Sequence, residues 1–332
     1  MPGDHAALVQ HSVFDNIYAL GLWRGRSSAA SSSRPSSGGG STPDAARTTC
    51  MVLVEAARRV ASARSDARLP VRILDAPCGD FTWMPACLTH IARELKVRVQ
   101  YQGADIVTGL VGQLNDGKGS FLSNGRRSAI GEGVELREFL VLDAANTEAM
   151  AALRGRFDIM LTRHVTIHLQ SEAILRIVDS WNAIGVRYVV TDDYPTSKNI
   201  NWVDANATFP YREPNLREPP FSLPDPECSQ PDASFCEAVA SRCGSNINLF
   251  VPPLTHGAME ERRRKSARRG VYVHESNASI AMRRGRRLQF CVSVSESIRI
   301  AAAHQYSRPR ARQLVRDFAP AWRRLYPPIS ST

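Results

Sequence analysis

The chain has 332 residues, 43% hydrophobic and 22% charged, with a formal net charge of +10. This composition provides for a sizeable core and excludes a disordered or collagen-like chain, while the lack of an 18-residue apolar run or an apolar signal core leads us to expect a soluble, cytoplasmic protein, with an organellar address left open. The 7 cysteines, at 50, 78, 87, 228, 236, 243 and 291, form no C-x-x-C pair, so we expect no metal site, no disulfide framework and a reducing compartment.

Residues 1–26 read as an N-terminal helical segment, and 27–43 as a Ser/Gly-rich loop that is either a linker or a lid. An apolar strand is predicted over 71–75, followed by a helix over 84–95 with Met84, Cys87, Leu88, Ile91 and Leu95 at helical spacing. Next come a strand over 99–106, a helix over 108–114, a Gly/Ser/Asn-rich loop over 115–133 and a strand over 134–142. A short helix over 145–153, a strand over 157–162, a helix over 172–184 and a strand over 186–191 complete the series. This alternation predicts an α/β fold, a mainly parallel sheet with helices on both faces, with the main domain over 44–226.

Beyond 226 the pattern fades, and residues 288–294, with 270–274 as a poorer second, are the candidates to close the sheet. Residues 227–332 read as a divergent Arg-rich extension, partly disordered. Residues 256–332 carry 17 Lys and Arg against 5 Asp and Glu, with clusters at 262–269 and 283–287. Such clusters suit either a solvated tail or a nucleic-acid partner, although no aromatic interleaving accompanies them.

Residues 71–84, Val-Arg-Ile-Leu-Asp-Ala-Pro-Cys-Gly-Asp-Phe-Thr-Trp-Met, describe a strand, a tight turn and a helix start. A turn of this kind at the carboxyl end of a first parallel strand is where α/β sheets hold nucleotide-like cofactors. It matches neither G-x-G-x-x-G nor the P-loop, and Asp75 and Asp80 flank its single Gly79 where a phosphate would be repelled. A phosphate-free cofactor with a cationic or amino group fits better.

Here the chain resembles the class I S-adenosylmethionine-dependent methyltransferases, which have a Rossmann-like fold. It is similar in particular to a mostly bacterial and algal family sharing six ordered motifs. These are F-x-x-I-Y-x-x-x-L-W at 14–23, S-G-x-G-S-T at 37–42, L-D-A-P-C-G-D-F-x-W-M at 74–84, G-x-D-I at 103–106, R-D before a His at 163–168, and N-L-x-x-x-P-F-x-L-P at 215–224. The resemblance covers residues 13–226 and implies an in-line methyl transfer from S-adenosylmethionine to a small-molecule acceptor. It places the cofactor against Asp75, Pro77, Cys78, Gly79, Asp80, Trp83, Arg163, Ser37 and Gly38, with Asp105 and Ile106 at the ribose. Asp143 would meet the adenine or cap the following helix, both readings standing.

The resemblance also makes His168 the general-base candidate, with Arg163 holding an acidic acceptor or a neighbouring carboxylate. Where the family has R-D, this chain has Arg163-His164, so a carboxylate is missing there; Asp192 and Asp193 are candidates to replace its charge, and His164 and Asp192 join Arg163 and His168 as catalytic candidates. Tyr194, Tyr211, Arg212, Asn215 and Phe221 form the substrate-side wall. Two alternatives remain: an RNA or protein methyltransferase guided by the basic tail, and a non-catalytic S-adenosylmethionine-binding protein. No membrane association is expected, and the oligomeric state is not legible.

Overall fold

The computed structural model describes residues 14–24, 36–117, 130–199, 211–235 and 244–254. Eight strands form one sheet: β1 (Val71–Asp75), β2 (Val99–Asp105), β3 (Val134–Leu136), β4 (Leu140–Val141), β5 (Ile159–Thr162), β6 (Tyr188–Asp193), β7 (Cys228–Pro231) and β8 (Asn246–Phe250). Their order is β3-β2-β1-β5-β6-β8-β7, with β4 also paired to β2. All the pairings among β1–β6 are parallel, and β8 runs antiparallel to both β6 and β7. The chain builds outward from β1 through β2 to β3, then restarts at β5 on the other side of β1. That reversal opens a crevice at the carboxyl ends of β1 and β5, the place where open α/β sheets bind their ligands.

Among the described residues the sheet is accompanied by α1 (Arg47–Ser62), α2 (Met84–Leu95), α3 (Thr108–Asn115), α4 (Thr147–Ala151) and α5 (Ser171–Ile184). Successive strand residues point to opposite faces. Leu74, Met160 and Val189 therefore join α4 and α5 in one hydrophobic cluster, around Ile174, Ile177, Trp181 and Ile184. The buried Ile73, Ile159 and Val190 face the other way, where α1 packs on β1, β6 and β8. The Trp181 indole donates to Thr162 Oγ1 at 3.1 Å, so this buried ring meets its one polar need inside the core.

Several expectations are corrected. The single strand expected over 134–142 is two short ones, because between them Phe139 turns inward against Gly103. The sheet is closed by Cys228–Pro231 and Asn246–Phe250, past the boundary at 226. The candidates at 270–274 and 288–294, and the Arg clusters, lie outside the described residues. Pattern reading had no chance with β7, since Cys-Ser-Gln-Pro carries no alternation and its pairing with β8 supplies the order. Helix α1 is not among the expected elements. It buries Val52, Leu53, Ala56, Ala57 and Val60, but interleaved Arg and Glu dilute the apolar stripe.

The expectation of no disulfide is also overturned. Cys50 of α1 and Cys87 of α2 are bonded, with their Cα atoms 5.6 Å apart across a sequence separation of 37, and Cys228 is disulfide-bonded as well. Helix packing brings these thiols together, and spacing in the chain carries no sign of it. Cys78 is the free cysteine among the described residues, and it is buried. No helix among those residues is long and apolar enough to cross a membrane.

Gly103 tests the packing at β2, since a Cβ there would lie 2.5 Å from the Phe139 ring and 3.0 Å from Cys78. Gly103→Ala should therefore destabilise the protein by about 1–3 kcal/mol in urea denaturation, the usual cost of overpacking a tight core.

Candidate functional site

Asp75 ends β1, Asp105 ends β2, Arg163 follows β5 and Asp192 lies in β6, so parallel pairing alone delivers four charged side chains to one edge of the sheet. Between the first two, the turn over 76–83 crosses the edge. Gly79 sits at φ +56° and its N–H donates to Asp105 Oδ2 at 3.1 Å, while Asp105 Oδ1 accepts from Val107 N–H at 3.1 Å. Asp105 thereby ties the first turn to the second and keeps further lone pairs for a ligand's hydroxyls. Asp75 Oδ2 accepts from the Tyr101 hydroxyl at 2.8 Å.

The Ser/Gly-rich segment folds onto this turn. Asp80 N–H donates to Ser37 Oγ at 2.8 Å, Ser37 N–H returns a bond to Asp80 Oδ2 at 3.2 Å, and Ser36 Oγ adds a third at 3.0 Å. Asp80 Oδ1 meanwhile accepts from the Thr82 hydroxyl at 2.8 Å. A Cβ on Gly79 would stand 2.7 Å from Ser37 Oγ, so the latch requires glycine there. Ser37 and Gly38 thus lie on the turn itself, while residues 27–35 are outside the described region.

Arg163 is spent on the same segment. Its guanidinium donates to Gly40 O at 2.8 Å and Ala45 O at 3.2 Å, approaches Asp232 Oδ2 at 3.8 Å, and lies 5.9 Å from the centroids of both Trp83 and Phe235. It works as a clamp on the glycine loop and is not presented to an acceptor. His164, at φ +55°, donates its backbone N–H to Asp192 Oδ1 at 2.8 Å, and its ring packs against Phe235 at 4.5 Å. The next strand therefore supplies a carboxylate beside the position that lacks one. Burial, with help from Arg163 and His168, pushes the His164 imidazole well below its ordinary pKa.

An aromatic N-terminal turn covers the edge. Residues 14–19 are helical, and the Tyr18 hydroxyl meets Ser37; burial first and the Asp105 charge second push its phenol pKa well up. Trp23 lies nearly parallel to His168, with centroids 5.4 Å apart and 27° between planes, and Phe14 and Tyr211 meet the same imidazole edge-on at 6.3 and 6.5 Å.

Other expected site residues are placed elsewhere. Asn215 accepts from and donates to backbone at Arg217, Pro195 and Ser197, making it a loop staple. Phe221 is fully buried in the core cluster, and Arg212 packs over it at 5.8 Å while donating to Ser171 Oγ at 3.1 Å. Tyr194 is buried and Tyr211 is exposed at the rim. Asp143 Oδ1 accepts from Ala145 N–H at 2.8 Å in a local turn, and the cap of α4 is Asn146, so the capping role expected for Asp143 falls to its neighbour. Pro77, Cys78 and Ile106 shape the two turns. Tyr18, Trp23, Tyr101, Asp232 and Phe235 carry no site role in the sequence reading. Only the aromatic spacing of residues 14–23 offered a signal for any of them.

The charge state of the edge follows from dryness. Burial raises Asp75 to about 8, with Tyr101 and Arg163 opposing and Asp105 adding to the rise. Asp105 is raised to about 6, again by burial, against its backbone hydrogen bonds. No Lys or Arg among the described residues forms a salt bridge with Asp75, Asp80 or Asp105. This donor set fits a ligand with cationic and hydroxyl groups and opposes a phosphate. A glycine without Cβ at φ +56° lets that ligand approach the backbone.

No protein-family model matches the chain, and no curated protein matches it. Among solved structures, it is similar to the Burkholderia thailandensis 1,6-didemethyltoxoflavin-N1-methyltransferase with bound 1,6-didemethyltoxoflavin and S-adenosylhomocysteine, at 18% identity over 75% of this chain and 89% of that one, TM-score 0.42. It is also similar to the magnesium protoporphyrin IX methyltransferase (ChlM) of Synechocystis PCC 6803 with bound SAM, at 14% identity over 72% and 89%, TM-score 0.37.

Asp75 makes the site's energetics measurable. A carboxyl raised to about 8 in the folded state binds its proton more tightly there than in the unfolded chain. Its contribution is therefore lost as pH rises from about 4 towards 8 and is flat above that. Asp75→Asn should leave stability near about pH 3.5 almost unchanged and raise the melting temperature progressively towards pH 8, flattening the profile measured by thermal denaturation of the ligand-free protein.

Proposed function

We propose that this chain is an S-adenosylmethionine-dependent methyltransferase acting on a small-molecule acceptor, of the family marked by the S-G-x-G-S-T and L-D-A-P-C-G-D-F-x-W-M motifs. The observation that carries the reading is the turn between Asp75 and Asp105: buried carboxylates without a salt-bridge partner, a glycine at positive φ, and no cradle for phosphate, all at the reversal point of the sheet. The meeting of separate motifs supports the family: Ser37 of one is hydrogen-bonded to Asp80 of another, and Arg163 of a third clamps Gly40 of the first. In this reading the catalytic domain extends through Leu254, since β8 completes the sheet.

When bound, S-adenosylmethionine supplies an electrophilic methyl group carried on a sulfonium. Asp75 and the backbone of Gly79 would hold its amino-acid portion, Asp105 its ribose hydroxyls, and Asp143 its adenine amino group. Tyr18 and the segment over 36–42 would cover it and exclude water, which strengthens every electrostatic contact beneath. His168, at the mouth formed with Trp23, would accept the acceptor's proton, and Asp192 would supply the carboxylate missing at position 164.

Calorimetry with S-adenosylhomocysteine tests the reading. This reaction product should bind, Asp105→Ala should weaken it by about 10- to 100-fold as expected for loss of charge-assisted hydrogen bonds, and NAD should not compete. Binding of S-adenosylmethionine near pH 7 should also release protons, because its cation favours the ionised carboxyls. Failure to bind S-adenosylhomocysteine, or equal binding by Asp105→Ala, overturns the proposal.

A further inference from the structure

A cavity of about 360 Å³ lies at the opposite edge of the sheet, where β1, β5 and β6 begin. Its size falls within the range of small-molecule pockets. Arg64, just past α1, Arg72 of β1, and Asp158 and Arg187, just ahead of β5 and β6, line it. The parallel pairing that delivers carboxylates to one edge therefore gathers guanidiniums at the other.

Asp158 is already saturated. Its buried carboxylate accepts from Arg64 at 2.5 Å, from the Arg72 guanidinium at 3.1 Å on each oxygen, and from Arg72 N–H at 2.8 Å. One negative charge is thus shared between two guanidiniums. Arg187 is exposed, and its guanidinium makes no hydrogen bond or ion pair among the described residues. The second acid at the wall, Asp66, brings its own cation, accepting from Arg68 Nε at 3.2 Å. A staple between α1 and the sheet needs one guanidinium on Asp158 and has no use for Arg187. Arginines converging on one concavity repel each other unless an anion joins them. Arg64 and Arg72 also keep N–H donors that Asp158 and the carbonyls of Leu69, Pro70 and Gly155 do not take.

Leu69, 54% exposed, lines the same cavity and adds apolar surface beside the cationic wall. A bare inorganic anion would leave that surface uncovered. We propose that this cavity binds an organic phosphate monoester, its dianionic phosphate held by Arg187 and the spare donors of Arg64 and Arg72, and a small apolar body resting on Leu69. The proposal is independent of the methyltransferase reading, since Asp75 and Asp105 stand at the other ends of their strands, where carboxylates repel a phosphate.

The test is isothermal titration calorimetry of the full chain with phenyl phosphate at low salt, alongside inorganic phosphate, benzoate, benzyl alcohol and a single-stranded oligonucleotide. Phenyl phosphate should bind saturably with a Kd of about 0.1–1 mM, about tenfold tighter than inorganic phosphate or benzoate, and benzyl alcohol should not bind. Affinity should fall as pH drops through about 6, where the phosphate takes up its second proton. Arg187→Gln should weaken phenyl phosphate about tenfold with Arg187→Lys retaining part of it, and Leu69→Asp should weaken it at least as much. Both side chains are exposed, so these variants should keep the melting temperature of the ligand-free protein. Saturating S-adenosylhomocysteine should leave phenyl phosphate binding unchanged. Absence of binding, equal binding by Arg187→Gln, equal affinity for inorganic phosphate or benzoate, or competition by S-adenosylhomocysteine overturns the proposal. Preference for the oligonucleotide, with affinity lost steeply in salt, overturns it in favour of a polyanion surface. Phenyl phosphate bound without S-adenosylhomocysteine overturns the methyltransferase reading and leaves this cavity standing, whereas the reverse pattern overturns this inference alone.

Discussion

The contact between Ser37 and Asp80 is what the rest of the site depends on. Each donates a backbone N–H to the other's side chain, at 2.8 and 3.2 Å, so a glycine loop with no preferred conformation of its own is fixed against the turn after β1. Two further ties act on the same pair of segments. Arg163 holds the carbonyls of Gly40 and Ala45, and the Cys50–Cys87 disulfide joins the helices that follow the loop and the turn. An ordered Ser/Gly-rich stretch needs such ties, because the entropy of holding glycines in place must be offset by bonds made elsewhere.

The buried carboxylates are the converse of that order. Covering the turn with Tyr18, Ser37 and the aromatic N-terminal residues removes water from Asp75 and Asp105, and burial raises both. A dry site raises the cost of unpaired charge and equally the gain from pairing it. The edge is thus destabilising when its carboxyls are ionised alone, and positive charge brought beside them would offset that cost. His164 fits this arrangement as a neutral, packed ring, with the carboxylate beside it supplied by Asp192 of the neighbouring strand.

Legibility in the sequence tracked locality. Asp75, Gly79 and Asp105 could be read because strand, turn and helix start lie within a few residues, and their positions at strand ends follow from hydrophobic pattern. Phe221 and Asn215 misled for the same reason: a motif shows that residues recur together, and here they are held by core packing and loop staples away from the mouth. The closing strands escaped because Cys228–Pro231 has no pattern of its own, and α1 because charged residues interrupt its apolar face. Asp232 and Phe235 escaped entirely, since only the return of the chain at β7 carries them to Arg163 and His164.

By itself, the sequence determined the alternating α/β plan and the character of the first turn: one glycine, flanking carboxylates and no phosphate cradle. Those follow from local sterics and charge, which need no partner to be read. Tertiary structure alone decided that Arg163 clamps the loop, that Cys50 meets Cys87, and that Trp23 lies over His168. Each of these joins residues far apart along the chain, and no local preference encodes which distant side chain the packed sheet will bring within reach.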